Sequence, residues 1–370
     1  MNGAFIYGEC MSDISDQMLS VLAHFRLQGS VKSVSQTKVG HVNQTYFSEC
    51  VDGERTYRFT HQRINTKAFK NPGQMMENIY RVTTHIQNKL RLEYEDISQR
   101  CLEVIPTIDG LLIHEDREGG VWRTYRYIDH VKTIETVTRA EEAFLLGESV
   151  GTFQTQLSDL SGASLHVTIK DFHDMRVRYA QLEEAVRMDR VGRVASVSKE
   201  LEFFYSNKER GCMISDLLNA GRLPLRATHN DTKISNVLFS EDEKEGLCII
   251  DLDTVMPGTI LFDTGDMIRS AATSAAEDER DLSLVRFNTE FYSALLDGYQ
   301  SKAHFLTKDE QSLLKESGRA ITQIMGIRFL IDYISGDVYY RIDRPNHNID
   351  RSRNQIALIK DMDCKWDEVD

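Results

Sequence analysis

"ATHNDTKISNVLFSEDEKEGLCIIDLDT", residues 227–254, sets Asp231, Lys233 and Asn236 ahead of two short apolar runs, the second of which, "GLCII", closes on Asp251-Leu252-Asp253. So many metal- and phosphate-seeking groups around two hydrophobic strands need a reason. Phosphoryl transfer supplies one. It needs a group to orient the attacking hydroxyl, ligands for a metal that bridges phosphates, and positive charge on the migrating group.

Protein kinases place a catalytic Asp and, five positions later, a metal-binding Asn. His229-Asn230-Asp231 leads to Asn236 at that spacing. Lys233 is then in reach of a γ-phosphate approaching the same loop, and Asp251, at a strand end, is placed to aim a carboxylate at Mg²⁺. An Asp-x-x-x-x-Asn alone is noise, and a lone "IIDLD" is usually a strand running into a turn. In this order, separated by one hairpin-sized connection and followed by "FDTGDMIR" (262–269), they indicate a kinase-like phosphotransferase.

The rest of the chain fits that reading. At 370 residues it exceeds what one core usually supports, so two lobes with a cleft are expected. The net charge of −13 opposes nucleic-acid binding as the main task, so phosphate must be held by local groups and a metal. No apolar stretch approaches a membrane span, and "MNGAFIYGECMSD" has neither a basic n-region nor a sustained apolar core, so the expectation is a cytoplasmic protein with no membrane partner. Six scattered cysteines, without zinc spacing, read as reduced, mostly buried small hydrophobes. The sequon at Asn43 is then a coincidence of composition.

Periodicity divides the chain. "DISDQMLSVLAHF" puts Ile14, Met18, Val21, Leu22 and Phe25 on one helical face; residues 31–63 read as strands with a Gly-containing bend; Met75 or Met76, Ile79, Val82, Ile86 and Leu90 make a long helix. Further strand-turn-strand signals follow to about residue 128. From about Glu135 long helices dominate: Leu146, Val150, Phe153 and Leu157 form one stripe, and "LEFFYSN", "SLVRFNTEFYSALLDGY" and "GRAITQIMGIRFLIDYI" form others. The expected fold is α+β: a small mixed-sheet lobe with one long helix over residues 1–125, and a larger, mainly helical lobe over 126–370.

The blocks "THNDTKISN", "IIDLDTVMPGTILFDTGDMIR", "GHVNQTYF", "WRTYRYIDH" and "RFLIDYISGDVYY" resemble the aminoglycoside phosphotransferase and choline kinase superfamily, and within it the N-acetylhexosamine 1-kinases. The resemblance spans about residues 20–362. It implies a two-lobed protein-kinase-like fold, with ATP and Mg²⁺ as cofactors and a small-molecule sugar as partner. It also implies that Asp231 faces the anomeric hydroxyl of the sugar while Asn236 and Asp251 hold Mg²⁺. Lys233 accompanies Asp231 in catalysis, and His41, Arg328 and Tyr339 contact the sugar. On the nucleotide side it places Gly40, Asn43, Thr45 and Gln62, with Tyr127 and Ile128 at the joint between lobes. Asp253 either meets the metal through water or is a structural carboxylate. Asp263 and Asp266 tie down the catalytic loop through backbone N–H groups.

One departure stands out. A kinase-type site expects a Lys on the third strand paired with a helix Glu. Register through "FTHQRIN" puts Gln62 there and Arg63 on the opposite face, and only Glu77 is available on the helix. Lys233, Mg²⁺ and backbone N–H groups around Gly40 to Asn43 are then left to neutralise the phosphates. Rival readings are a same-fold kinase for an aminoglycoside, choline or homoserine, a non-catalytic nucleotide-binding module, and a serine hydrolase suggested by "GESVG" (147–151). The last fails because Ser149 lies inside a helical stripe rather than at a strand-to-helix turn.

Overall fold

The computed structural model describes residues 16–37 and 42–366. The chain runs through α1 (Asp16–Leu22), β1 (Ser30–Gln36), β2 (Gln44–Asp52), β3 (Arg55–Arg63), α2 (Pro72–Leu90), β4 (Val104–Ile105), β5 (His114–Glu115), β6 (Val121–Arg126) and β7 (Val131–Lys132). Next come α3 (Ala140–Gln156), α4 (Met175–Met188), α5 (Ser198–Ser206) and α6 (Lys208–Asn219), then β8 (Arg226–Thr228), β9 (Val237–Ser240), β10 (Gly246–Ile249) and β11 (Met256–Gly258). The helices α7 (Ile260–Ala271), α8 (Thr289–Gln300), α9 (Lys308–Ser312), α10 (Leu314–Ser335) and α11 (His347–Lys365) complete it. Contacts divide the chain into two compact units. The first holds the described residues up to Lys132 with Leu165–Ile169 and Leu238–Met256; the second holds Thr133–Ser164, Lys170–Val237 and the described residues from Pro257 onward.

In the first unit the main sheet has the order β1-β2-β3-β6-β4, with β5 also on β6. The expected mixed sheet is antiparallel in every pairing of that sheet. The physical reason is the connection: Gly53 and Glu54 alone join β2 to β3, with Gly53 at φ 59°, and a two-residue link can only turn the chain back on itself. Met18, Val21, Leu22 and Phe25 pack with Val34 and Trp122, while Cys50, Phe59 and Ile105 form a second cluster. Helix α2 starts with Pro72, whose missing N–H is harmless at a first turn, and buries Met75, Met76, Ile79, Val82, Ile86 and Leu90. The later segment rejoins this unit because β9 and β10 form a small sheet with β7, closing a core of Ile128, Leu238 and Cys248.

The second unit is organised on α10, which is buried on nearly every side. Helix α3 buries Leu146, Val150 and Phe153 and lies against α8 so closely that a Cβ on Gly147 would stand 2.0 Å from the Leu295 carbonyl oxygen. Its Ser149 hydroxyl donates to the Leu145 carbonyl at 2.6 Å, so "GESVG" is a helix-packing seam, not a nucleophile turn. Helix α8 begins at Thr289 rather than at Ser283, because the Asn288 side chain accepts from the Phe291 N–H and caps it there. Cys50, Cys101, Cys212 and Cys248 are buried free thiols, and Cys364 is an exposed one. No helix among the described residues is long and apolar enough to cross a membrane.

Candidate active site

In the second unit, strand β8 delivers the chain into the loop His229-Asn230-Asp231. Asn230 has φ 67°, a left-handed turn that an Asn side chain tolerates and that re-aims the residues on either side. The fully buried Asp263 of α7 holds this turn: its carboxylate accepts from the His229 N–H at 3.0 Å, the Asn230 N–H at 2.6 Å and the Gln154 amide at 2.9 Å. The Thr232 hydroxyl donates to the Asp263 carbonyl at 2.6 Å. Asp263 thus has the backbone-tying geometry expected from sequence. Asp266 does not: its carboxylate is taken up by Arg269, three residues along α7, at 2.8 Å.

Asp231, Lys233 and Asn236 come together. The Asn236 amide nitrogen donates to the Asp231 backbone carbonyl at 2.8 Å and to its Oδ2 at 3.0 Å, and Lys233 Nζ lies 3.3 Å from the same Oδ2. That arrangement leaves Oδ1 of a side chain that is 33% exposed to meet a hydroxyl, and leaves Asn236 its Oδ1 as a hard oxygen donor. Burial works to raise the Asp231 pKa, but the Lys233 ammonium, His229 and the Asn236 amide outweigh it and hold the carboxyl below its ordinary value. The group is therefore ionised at neutral pH.

Beside this loop, around the Arg328 and Tyr339 named from sequence, stand Phe172, His173, Arg178 and Tyr340, which sequence reasoning missed. His173 is buried, and its Nε2 lies 3.3 Å from the Asn230 carbonyl oxygen. Burial first, and then the Arg328 guanidinium, lower its pKa to about 3, so the ring is neutral. Arg328 stands over three rings, 5.3 Å from the centroid of Phe172, 5.6 Å from Tyr340 and 6.0 Å from Tyr339. His173 Nδ1, Arg178 Nε and the Tyr340 hydroxyl are buried without a partner. The structure thus brings Arg328 and Tyr339 together, with Tyr339 71% exposed. Gly336 and Asp337, both left-handed, reverse the chain after α10, and the buried Asp332 collects the N–H groups of Val338, Tyr339 and Tyr340 at 2.9, 2.8 and 2.9 Å. His41 and Gly40 lie outside the described residues.

In the first unit, Asp251 follows β10 with φ 59° and ψ 51°, and its side chain is exposed. A left-handed non-glycine residue costs about 1–3 kcal/mol and persists where its surroundings over-determine it. Two residues on, Asp253 is 3% exposed, pairs with Arg123 and accepts from the Asn43 amide at 2.8 Å. Both of its oxygens are thereby engaged by protein groups, Oδ1 by Arg123 and Oδ2 by Asn43. Gln62 occupies the expected register, opposite Thr45 on β2, and its amide donates to the Thr45 hydroxyl at 3.2 Å. Arg63, on the other face, lies near Asp116, whose carboxyl is lowered, against burial, by the Trp122 N–H and the Gly120 and Glu118 backbone N–H groups and last by that guanidinium. Glu77 pairs with His166 at 2.7 Å and does not serve as a strand cation's partner. The Tyr127 N–H donates to the Arg58 carbonyl at 3.0 Å, and the Ile128 side chain is committed to the core.

Among the described residues no three His, Cys, Asp or Glu side chains converge as a ready-made metal site. Mg²⁺ keeps several waters and takes one or two protein oxygens plus substrate phosphates; a carboxylate such as that of Asp251 in the first unit, or an amide oxygen such as that of Asn236 in the second, is a donor of the right hardness.

Solved structures with a similar fold include a microcompartment-associated aminopropanol kinase, at TM-score 0.55 and 14% identity over 95% of this chain and 97% of that one. An aminoglycoside phosphotransferase from Alicyclobacillus acidocaldarius matches at 0.53 and 12% over 95% and 96%. A spectinomycin phosphotransferase in complex with ADP and spectinomycin matches at 0.50 and 12% over 92% of each chain. At such identities the likeness is one of fold, and the fold is the α+β, protein-kinase-like one. The profile of the phosphotransferase enzyme family matches residues 92–304, more than half the chain, and the chain belongs to that family.

Proposed function

We propose that this phosphotransferase is an ATP- and Mg²⁺-dependent kinase that transfers a phosphoryl group to the anomeric hydroxyl of an N-acetylhexosamine, N-acetylglucosamine or N-acetylgalactosamine, giving the sugar 1-phosphate and ADP. One observation carries the choice of acceptor: Arg328 already occupies the aromatic faces of Phe172, Tyr339 and Tyr340. Those rings would otherwise make a cage for a quaternary ammonium. With Arg178 and a neutral His173 beside it, this wall repels a cationic acceptor and offers donors and acceptors to a neutral polyhydroxyl one. Choline and aminoglycosides are thereby disfavoured.

In this reading Asp231 orients the hydroxyl through Oδ1. Its lowered pKa makes it a weak general base, so it accepts the proton late, which is adequate for an anomeric hydroxyl because that group is more acidic than an ordinary alcohol. Lys233 holds the far carboxylate oxygen and places positive charge beside the loop. When bound, Mg²⁺ supplies neutralisation of the nucleotide phosphates. Asn236 and Asp251 would hold it. Thr45 and Gln62, with Asn43, Tyr127, Ile128 and the undescribed Gly40, are proposed to line the nucleotide side, and His41 to join Arg328 and Tyr339 on the sugar.

The test is ADP release with a panel of N-acetylhexosamines, hexoses, homoserine, choline and aminoglycosides. Turnover should appear with the N-acetylhexosamines. Turnover confined to choline or an aminoglycoside would overturn the assignment of the acceptor.

A further inference from the structure

Gln62 leaves the third strand without its cation, and a buried cation stands directly across the sheet. Arg123 of β6 is the registered partner of Gln62. Its side chain is 2% exposed. Nε donates to Gln62 Oε1 at 2.9 Å, Nη1 pairs with Asp253 and lies 3.8 Å from the Met76 sulfur of α2, and the group stacks 5.2 Å from the Tyr125 ring centroid. One side chain thereby ties β3, the 251–254 turn and α2 together. Burial opposes its charge, but the Asp253 carboxylate, chiefly, outweighs burial and raises its pKa.

We propose that Arg123 is the positioning residue of the metal-binding carboxylate. From β6 it fixes Asp253, and through the short turn that follows Asp251 it fixes the left-handed conformation that exposes Asp251. This rests on the reading of Asp251 as a magnesium ligand. A strand lysine in a kinase reaches the phosphates itself. Arg123 is too enclosed for that and acts one step back, through the turn. The fork of a guanidinium is needed, because Gln62 and Asp253 are bonded by different nitrogens and an ammonium cannot span both in plane.

The experiment is calorimetric binding of ADP, with and without Mg²⁺, to the full chain and to Arg123→Lys, Arg123→Gln, Asp253→Asn, the double variant R123Q/D253N and Asp251→Asn, with thermal melting of each. In the double variant no charge is left unpaired, which preserves folding where a single change does not. The proposal expects folded Arg123→Gln, Asp253→Asn and R123Q/D253N to need at least tenfold more Mg²⁺ for half-maximal enhancement of ADP binding, with metal-free binding unchanged. Arg123→Lys should shift in the same direction by a smaller factor. A folded double variant with the wild-type Mg²⁺ dependence would overturn it. So would an equal loss of metal-free ADP binding, which would mark Arg123 as a direct phosphate clamp. If Asp251→Asn keeps the Mg²⁺ dependence, the reading of Asp251 itself fails, and the proposal with it; if Asp251→Asn loses that dependence and Arg123→Gln keeps it, only the link through Arg123 fails.

Discussion

Replacing Asp332 by Asn should loosen the wall proposed to receive the acceptor and leave the proposed nucleotide side alone. Oδ1 of Asp332 accepts from Val338 and Tyr339, and Oδ2 accepts from Tyr340 and from the Asn348 amide. Asn keeps one oxygen and turns an NH₂ group toward two donors. An unsatisfied buried donor costs about 1–3 kcal/mol, so two cost about 2–6 kcal/mol if nothing relaxes. Something will: Val338 and Tyr339 are 78% and 71% exposed, and water can reach their N–H groups once the loop lifts. The net cost should therefore be about 1.5–3 kcal/mol, falling on the ordering of the segment that carries Tyr339 and Tyr340 rather than on global folding. That corresponds to an acceptor KM raised about ten- to a hundredfold. Steady-state kinetics with each substrate varied in turn would read it: acceptor KM rises, ATP KM changes less than twofold, and the melting temperature falls by only a few degrees. Equal rises in both KM values, or an unchanged acceptor KM, would refute the idea that Asp332 organises the acceptor side.

Gly147→Ala should destabilise the protein by about 1–3 kcal/mol in urea unfolding, since the added Cβ meets the Leu295 carbonyl 2.0 Å away and α3 and α8 must separate; an unchanged midpoint would contradict that packing. His61 and His173 are both held neutral in the fold with pKa values lowered to about 3, by burial in each case and by Arg328 as well at His173. The unfolded chain binds protons at these groups below its ordinary value of about 6.5, so their stabilising effect is full above that pH. It is lost as pH falls toward 3, by up to about 1.4 kcal/mol per pH unit for each group. Urea midpoints measured from pH 7 to pH 5 should fall, and His61→Asn should reduce the slope by about one proton. A flat profile would show that neither ring is held neutral.

What could be read in the sequence was what is written locally. The period of Met75, Ile79, Val82, Ile86 and Leu90 marked α2, the stripe through Leu146 and Phe153 marked α3 and placed Ser149 inside it, and the spacing from Asp231 to Asn236 named the loop that the structure folds around one carboxylate oxygen. Asp263 was legible as the loop's anchor, whereas Asp266 was not legible as the partner of Arg269, because two acidic residues one helical turn apart look alike until the helix is aimed. The unread parts depend on contacts between distant positions. Arg123 and Asp253 are 130 residues apart, and nothing near either one announces the pair. His173 lies in a loop without periodicity, 57 residues before the carbonyl it faces. The return of Leu238–Met256 to the first unit followed from pairing of β9 with the two-residue strand β7, too short to leave a pattern. Charge told the same lesson. The missing strand lysine was visible at Gln62, but the cation across from it appeared only with the register of β3 on β6.

Asp231 is proposed to carry transfer to the anomeric hydroxyl. The decisive experiment incubates Asp231→Asn with Mg-ATP and N-acetylglucosamine or N-acetylgalactosamine and follows the product by phosphorus NMR. The wild-type chain should build a signal coupled to the proton on carbon 1, and the variant should build none while binding Mg-ATP calorimetrically within a few-fold of wild type. A variant that forms the sugar 1-phosphate at the wild-type rate, or a wild-type product phosphorylated at any other carbon, would contradict it.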